Sequence, residues 1–425
     1  MSSEYEISSF LFTGGSDNLT LSGYDPVLAT AGDRPHTDTL PALIDPAADH
    51  VDALVAARRR DIDLKHARVV AFLEEHQLDA LVLGRADSVS WFTSGGELGV
   101  DLGGGSASVL LYINRAARVV IADNVQSARV FEEELAGLGF QLKERPWYDE
   151  PARVVIELGR SKRLASDLGI PAPWNASADD AAERIRMLRW PLTKLERQRY
   201  RELGRTLTLA VEATCRNFQP GESEADLAGH LAHRLLREGV IPVDLKVASD
   251  GRLARYRQPT FKAAAIVRQA TITAVGRRHG LCAGVTRTVS FGPVDSDFRA
   301  SHALASMVDA TSIYFSRPGQ TIGEVFARVK RIYEKFGHAH EWTLDYQGWQ
   351  VGHSPRERAL RPDSPHIIAA GMAFCWSPSV GSARCEDTFV VDERGFEVIT
   401  EAQNWPKIEV TVKGYRLPRP GILVR

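Results

Sequence analysis

The stretch ATITAVGRRHGLCAGVTRTVSFG, residues Ala270–Gly292, is the part of the chain around which the remainder can be interpreted. Apolar residues alternate with polar ones, and β-branched Thr and Val recur in both halves. Alternation with a period of two is typical of β-strands. The stretch therefore predicts a strand, a tight turn that contains Arg277, Arg278 and His279, and a second strand.

The chain has 425 residues, enough for two domains with separate hydrophobic cores. Its 44% hydrophobic and 25% charged residues are typical of soluble globular proteins. A net charge of −2 without long basic or acidic runs predicts neither a nucleic-acid partner nor binding to an anionic membrane. No signal peptide is recognisable, and no apolar run approaches the roughly 20 residues that span a bilayer.

The four cysteines form no CxxC pair and no disulfide framework. Such a chain is suited to a reducing compartment, so we expect a cytoplasmic protein.

The composition and periodicity divide the chain into four segments. Residues 1–50 are rich in Ser, Thr, Asp, Gly and Pro, and predict an amino-terminal arm that is either disordered or wraps a partner. Alternating helix and strand patterns over residues 51–170 predict an α/β domain. Residues 171–190 predict a linker helix, and residues 191–425 predict a second domain. The glycines of DLGGGSAS in the first domain predict a structural turn, because no GKS or GKT follows them.

The second domain contains an internal repeat. The helix entry PGES at residues 220–223 is matched by PGQT at residues 318–321, 98 residues further on. Asp226 and Gly239 are matched at the same offset by Glu324 and Gly337. The repeat predicts two similar halves, each with a helix pair and strands. Binding sites are common where such halves meet.

Three further motifs resemble the superfamily of creatinase, aminopeptidase P and methionine aminopeptidase, which has the pita-bread fold. They are VASDGRLARYRQP (Val247–Pro259), GVTRTVSFG (Gly284–Gly292) and CEDTFVVDERGFEVIT (Cys385–Thr400). The resemblance extends over residues 55–400. It implies an α/β amino-terminal domain and an α+β pita-bread domain with a pseudo-two-fold internal repeat, as in an Xaa-Pro aminopeptidase-like protein. It also implies a homodimer, in which the amino-terminal domain of one chain approaches the site of the other.

The resemblance further implies a pair of divalent metals that activate a water and polarise the scissile carbonyl. Two Asp, one His and two Glu hold these metals in the peptidases. The corresponding positions here are Thr273, Gly284, Trp349, Ser377 and Glu386. Only Glu386 keeps a carboxylate, and neither the substrate-side His before a Pro (here Gln258) nor the later His (here Arg356) is kept. We therefore expect no metal site and no cofactor, which makes an active metallopeptidase the least expected function.

The polar residues that remain near these positions are mostly hydrogen-bond donors. Two roles are open for Glu386: a structural ion pair with Arg287 or Arg384, or a carboxylate that binds a cationic ligand or acts as general base. His353 is the candidate acid–base partner, whereas His279 is expected to be exposed in its turn. The expected ligand contacts are Arg278, Arg287, Arg356, Arg384, Trp349 and Ser377.

Three cysteines, Cys282, Cys375 and Cys385, fall on predicted strands around this site. They allow a soft-metal or nucleophile site, although a buried Cys is usually a small apolar side chain. Strand alternation places Cys375 on the face of Ser377 and Cys385 opposite to Glu386.

Three functions are compatible with these features. The first is a metal-free protein that binds a small molecule or a peptide end. The second is a creatinase-like, metal-independent hydrolase of a C–N bond that uses His and Glu. The third is a protein-binding scaffold.

Overall fold

The computed structural model describes residues 46–99, 106–168 and 178–425. Most of the predicted arm, most of the glycine-rich DLGGGSAS turn and much of the predicted linker lie outside these ranges. Within the described ranges, no helix combines the length and the apolar character that crossing a membrane requires.

The amino-terminal part is built on a mixed five-stranded sheet with the order β4-β3-β2-β1-β5. Leu81 and Leu83 face one core, and Ala80 and Val82 face another, because successive side chains of a strand point to opposite faces. The strands are β1 (Ala80–Arg85), β2 (Ser106–Asn114), β3 (Arg118–Asp123), β4 (Gln141–Arg145) and β5 (Leu164–Ser166). The helices are α1 (Pro46–Glu75), α2 (Ala86–Phe92), α3 (Ser127–Arg129), which runs into a π-helical turn (Val130–Glu134), α4 (Pro151–Leu158) and α5 (Ala178–Met187).

The carboxy-terminal part contains a larger sheet with the order β10-β9-β11-β14-β8-β7-β6, on which β15 pairs with β14 and β18 with β8. Its helices are α6 (Lys194–Asn217), α7 (Glu224–Arg237), α8 (Asp250–Arg255), α9 (Ser296–Phe315) and α10 (Ile322–Lys335), with a 3₁₀ turn at Glu341–Thr343. Its strands are β6 (Ile241–Ser249), β7 (Gln269–Arg278), β8 (Leu281–Ser290), β9 (Gly348–Val351), β10 (Arg358–Ala359), β11 (Ala373–Trp376), β12 (Ser379–Val380), β13 (Ala383–Arg384), β14 (Asp387–Val391), β15 (Phe396–Val398), β16 (Lys407–Val412), β17 (Tyr415–Pro420) and β18 (Ile422–Val424).

Two apolar cores lie against this sheet. The helix pair α6 and α7 packs on one core together with β6, β7 and β8, and the pair α9 and α10 packs on the other with β11 and β14. This two-fold arrangement confirms the predicted fold class, an α/β amino-terminal domain followed by a pita-bread domain. The exact domain boundaries stay predictions.

The internal repeat is visible in the backbone. Ser223 and Thr321 cap α7 and α10 with the same capping box, in which each hydroxyl accepts the N–H of the residue three positions later. Gly221 and Gly319 precede them with φ of 96° and 87°, a conformation that favours glycine. The repeated sequence therefore encodes a repeated turn and helix start.

Replacing either cap by alanine should lower the free energy of unfolding by about 1 kcal/mol, because one helix N–H loses its acceptor. Because Ser223 and Thr321 belong to different halves, we expect the two losses to add in the double variant. Chemical denaturation measures them, with Arg205→Ala on the exposed middle of α6 as a control that should change little. A loss confined to one half would contradict the equivalence of the two starts.

The hairpin of β7 and β8 confirms the strand–turn–strand prediction for Ala270–Gly292. Ten residue pairs are in register, among them Thr273 with Thr286. His279 and Gly280 alone form the turn, with φ of 51° and 74°, so Arg277 and Arg278 belong to the end of β7. Every residue of β8 is buried, which makes this strand the centre of the domain.

A buried ionic network lies behind β8 and β14. Arg419 of β17 contacts both Asp387 and Asp309, the latter at 2.6 Å. Arg287 of β8 donates to Asp387 at 3.0 Å and lies 3.7 Å from Glu212 of α6. The network ties the carboxy-terminal hairpin to the helices of both halves.

Two further clusters of buried ion pairs join the amino-terminal part to the pita-bread domain. Lys65 of α1 is fully buried and contacts Glu196 of α6 at 2.7 Å. Arg189 contacts Asp87 and Glu357, each at 2.8 Å. We call these two clusters the ionic seam.

Candidate functional site

A pocket of about 430 Å³ lies in the pita-bread domain. Its wall is formed by residues of β6, β7, β8, β9 and β11 and by the segments that flank β12 and β13. All five positions that correspond to the family's metal ligands line it: Thr273, Gly284, Trp349, Ser377 and Glu386. The structure thus brings together residues that the motifs alone had related.

Glu386 immediately precedes β14 and is 8% exposed. Its Oε2 accepts a hydrogen bond from Ser377 Oγ at 2.6 Å and a longer one from Thr286 Oγ1 at 3.5 Å. Cys375 Sγ lies 3.5 Å from Oε1. All three partners are neutral, so the predicted Glu386–arginine ion pair is wrong.

Arg384 reaches this carboxylate only through a hydroxyl. Its Nη1 donates to Ser377 Oγ at 2.6 Å, while its Nη2 contacts Asp345 and donates to the carbonyl of Arg257 at 2.9 Å. Asp345, Arg384, Ser377 and Glu386 therefore form one hydrogen-bonded chain along the pocket wall.

The four basic side chains of the pocket wall have carboxylate partners. The pairs are Lys246–Asp244 at 3.0 Å, Arg356–Asp244 at 3.5 Å, Arg257–Glu341 at 2.8 Å, and Arg384–Asp345. Among the described residues of the wall, Glu386 is the charged side chain without a partner of opposite charge. These cations are matched in number by Asp244, Glu341, Asp345 and Glu386, so Glu386 is distinguished by its neutral contacts and not by an excess of negative charge.

The residues at the family's metal positions do not fit a pair of divalent cations. Thr273 Oγ1 is hydrogen-bonded to Thr286 Oγ1 at 2.7 Å, and Gly284 contributes no side chain. A Cβ at Gly284 would lie 2.9 Å from Glu386 Oε1, so the carboxylate occupies the space that a second acid would need. No group of three or more His, Cys, Asp or Glu in the described ranges has an arrangement that could hold a metal. One carboxylate and two hydroxyls cannot bridge two cations.

The aromatic side of the pocket is formed around Trp349. Its ring is 5.2 Å from that of Tyr346, and the guanidinium of Arg356 lies 5.2 Å from its centroid. Tyr256 also lines the pocket. The predicted ligand contacts Trp349 and Arg356 are thus on the wall, and together they make one side of it flat and aromatic.

The cysteines diverge as strand alternation predicts. Cys375 faces Glu386, whereas Cys385 points into the core of the other half, where Sγ lies 3.5 Å from Asp309 Oδ2. Burial raises the pKa of the Cys375 thiol well above its usual range, and Glu386 adds to this shift. A shared soft-metal site of the three cysteines is not formed.

Three predicted site residues lie elsewhere. Arg287 is 1% exposed and belongs to the ionic network behind β8. Arg278 is at the outer end of β7, where it donates to the carbonyl of Glu238. His353 belongs to the ionic seam, where its Nε2 lies 2.8 Å from Glu196. The predicted catalytic pair of Glu386 and His353 is therefore wrong.

The electrostatics of the seam explain the position of His353. Burial alone would raise the pKa of Glu196, but Lys65 and His353 bring it below its usual range. His279, predicted to be exposed, is half-buried in its turn. Burial and the nearby Arg199 lower the pKa of His279 to about 4.

Sequence reasoning missed Asp244, Lys246, Arg257 and Asp345 on or next to the pocket wall. Alternation along β6 indicates that Asp244 and Lys246 share a face. Only the strand register, in which Lys246 is opposite Thr273, shows that this face of β6 is the one that lines the pocket.

Residues 198–393 match the sequence profile of metallopeptidase family M24. A probable dipeptidase PepE of Mycobacterium tuberculosis is 25% identical over 231 residues, which cover 51% of this chain and 60% of the relative. The match thus spans less than two thirds of that relative.

Solved structures share the fold. An Xaa-Pro dipeptidase from Bacillus anthracis superposes with a TM-score of 0.67 at 16% identity, covering 86% of this chain and 100% of the other. The amino-terminal domain of the FACT complex subunit SPT16 from chickpea (Cicer arietinum) superposes with a TM-score of 0.60 at 13% identity, covering 81% and 97%.

Proposed function

We propose that this chain, which belongs to the pita-bread superfamily of creatinase and aminopeptidase P as an Xaa-Pro dipeptidase-like member of family M24, binds a small molecule or a peptide end in its pocket without a metal. The observation that carries the proposal is the buried carboxylate of Glu386, which has only neutral partners in the pocket wall.

The energetics of that carboxylate indicate the chemistry of the ligand. A buried ionised group without a counter-charge is costly. A positively charged group of a ligand, such as an amine, an amidine or the amino terminus of a peptide, would offset this cost through a charge-assisted hydrogen bond. The aromatic wall around Trp349 would contact the apolar part of the same ligand. A volume of about 430 Å³ is within the range of small-molecule sites.

The other two functions have less support. A creatinase-like hydrolase needs a histidine beside Glu386, and the described pocket wall contains none. A scaffold function has one supporting observation, the likeness in fold to a subunit of the FACT complex. The expectations of a homodimer and of a cytoplasmic location stay predictions.

Calorimetric titration with the dipeptide Gly-Pro and with its N-acetylated form tests the proposal. We expect Gly-Pro to bind. The acetylated form lacks the cation and should bind at least roughly tenfold more weakly, because a hydrogen bond to a charged group contributes about 1.5–3 kcal/mol. Glu386→Gln should cause a similar loss, and excess EDTA should cause none.

The matched control is Glu409→Gln on exposed β16, which should leave the affinity unchanged. Equal affinity for both peptides, or an affinity that disappears with EDTA, would refute metal-free recognition of a cation by Glu386.

A further inference from the structure

We propose that Ser377 is a nucleophile, and that the pocket transfers the acyl group of a neutral carboxylic ester to its hydroxyl and then hydrolyses the acyl-serine. The inference goes beyond ligand binding and rests on the hydrogen-bonded chain of Asp345, Arg384, Ser377 and Glu386.

The position of Ser377 is fixed and faces the pocket. It follows the last residue of β11, lines the pocket, and donates its backbone N–H to the carbonyl of Gln347 at 2.9 Å. Pro378 follows it and further restricts the backbone. The hydroxyl is therefore held at one place on the wall rather than on a mobile loop.

The two partners of the hydroxyl have opposite and complementary roles. Glu386 Oε2 accepts a hydrogen bond from the hydroxyl, with 2.6 Å between the two oxygens, which is the arrangement that a general base requires. Arg384 Nη1 donates to the same oxygen at 2.6 Å, which stabilises negative charge that develops there or on an adjacent carbonyl oxygen. Asp345 holds the other arm of the guanidinium, so Arg384 is a positioned cation.

The acylation step balances with the groups present. Ser377 Oγ forms a bond to the ester carbonyl carbon while its proton passes to Glu386. The bond from that carbon to the alcohol oxygen then breaks, and the alcohol leaves with the proton from Glu386. In the second step a water attacks the acyl-serine and gives its proton to Glu386, the carbon–Oγ bond breaks, and Oγ takes up that proton.

Esters are the substrate class that this wall favours. The described pocket wall contains no histidine, so protonation of the leaving group depends on Glu386 alone. An alcohol or phenol leaves with less assistance than an amine does. The ester must also be neutral near the reacting carbon, because a cationic ligand of the kind proposed above would occupy Glu386 and block its role as base, so the two kinds of ligand compete for the pocket.

The neighbouring thiol is the obvious competitor for an acyl group. Cys375 is on the same face and is about as buried as Ser377, and its sulfur lies 3.5 Å from Glu386 and 3.9 Å from the carbonyl oxygen of Gly284, both of which are hydrogen-bond acceptors. Among the residues that the structure describes, no guanidinium or ammonium group donates to this sulfur. The hydrogen-bonded chain that ends at Glu386 therefore favours acylation of the Ser377 hydroxyl over acylation of the Cys375 thiol.

Incubation of the full chain with p-nitrophenyl acetate tests the inference. We expect a burst of p-nitrophenolate that approaches one equivalent per chain, and peptide mapping should place the acetyl group on Ser377. Ser377→Ala should abolish both, and Glu386→Gln should slow acylation by about 100-fold or more. In Cys375→Ala the acetyl group should still map to Ser377, and the control Glu409→Gln on exposed β16 should leave both the burst and the label unchanged.

The outcomes separate the possibilities. An acetyl group on Cys375 or Lys246 with Ser377 unmodified overturns the inference, as does an unchanged burst in Ser377→Ala. If Ser377→Ala does not fold, the mapped position of the label in Cys375→Ala still decides. Binding of Gly-Pro is measured separately, so failure of acylation and failure of the proposed binding function are distinguishable.

Discussion

Arg419→Met is expected to lower the free energy of unfolding by about 3–5 kcal/mol, the usual cost of removing one partner from a buried ion pair. The side chain is 1% exposed and lies between Asp309 and Asp387. Methionine fills a similar volume but donates no hydrogen bond. Asp309 would lose its only ion-pair partner among the described residues, and Asp387 would keep Arg287.

The control for this variant is on the same strand. Arg416 of β17 is 76% exposed and forms a 3.5 Å surface pair with Glu409. Arg416→Met should change the free energy of unfolding by no more than about 0.5 kcal/mol. Equal midpoints of chemical denaturation for the two variants would show that the network does not stabilise the fold.

The loss of stability in Arg419→Met should also depend on pH, because Asp309 of the same network titrates. Burial raises the pKa of Asp309 to about 7, although Arg419 opposes the shift. Between the ordinary pKa near 4 and this value the folded state binds more protons than the unfolded state, so this group's contribution to stability falls as pH rises. Without Arg419 the folded pKa rises further. The deficit of Arg419→Met should therefore be larger at pH 8 than at pH 6.

Gly204→Ala is expected to destabilise the protein by about 3 kcal/mol or more. Gly204 is buried in α6, and an added Cβ would lie 2.7 Å from the carbonyl carbon of Ile399 and closer still to its oxygen. Both contacts are to backbone, which cannot rotate away as a side chain can. The helix must therefore shift from the sheet, and overpacking of this kind is costly.

A second helical glycine provides the opposite expectation. Gly229 in α7 is exposed, and a Cβ there would meet no atom within 4 Å. Gly229→Ala should stabilise the protein by about 0.5–1 kcal/mol, because alanine loses less backbone entropy in a helix. Thermal unfolding of both variants checks the pair, and a stabilising Gly204→Ala would contradict the close approach of α6 to Ile399.

The sequence was sufficient for the central hairpin and for the convergence of five pocket residues. Alternation specifies the two strands, and the resemblance to the pita-bread superfamily relates Thr273 and Gly284 to Ser377 and Glu386. The hairpin depends on local sequence, and the pocket positions belong to motifs that occur in the same order as in the family.

The sequence could not show which side chain each charged residue contacts. Arg384 is close to Glu386 in the chain and Arg287 belongs to the neighbouring strand β8, yet Arg287 contacts Asp387 and Arg384 contacts Ser377. Which guanidinium faces the pocket depends on strand orientation and on Asp345, which lies in a different segment. His353 was misassigned for the same reason, since its neighbour Glu196 also pairs with Lys65 of α1.

The ionic seam has a consequence for how the molecule unfolds. Lys65 and Arg189 would each lose buried carboxylate partners if the amino-terminal part separated from the pita-bread domain while both stayed folded. Exposing half of such a cluster to water while leaving the other half buried is unfavourable. We therefore expect the described parts of the chain to unfold in one cooperative transition, rather than as two independent domains.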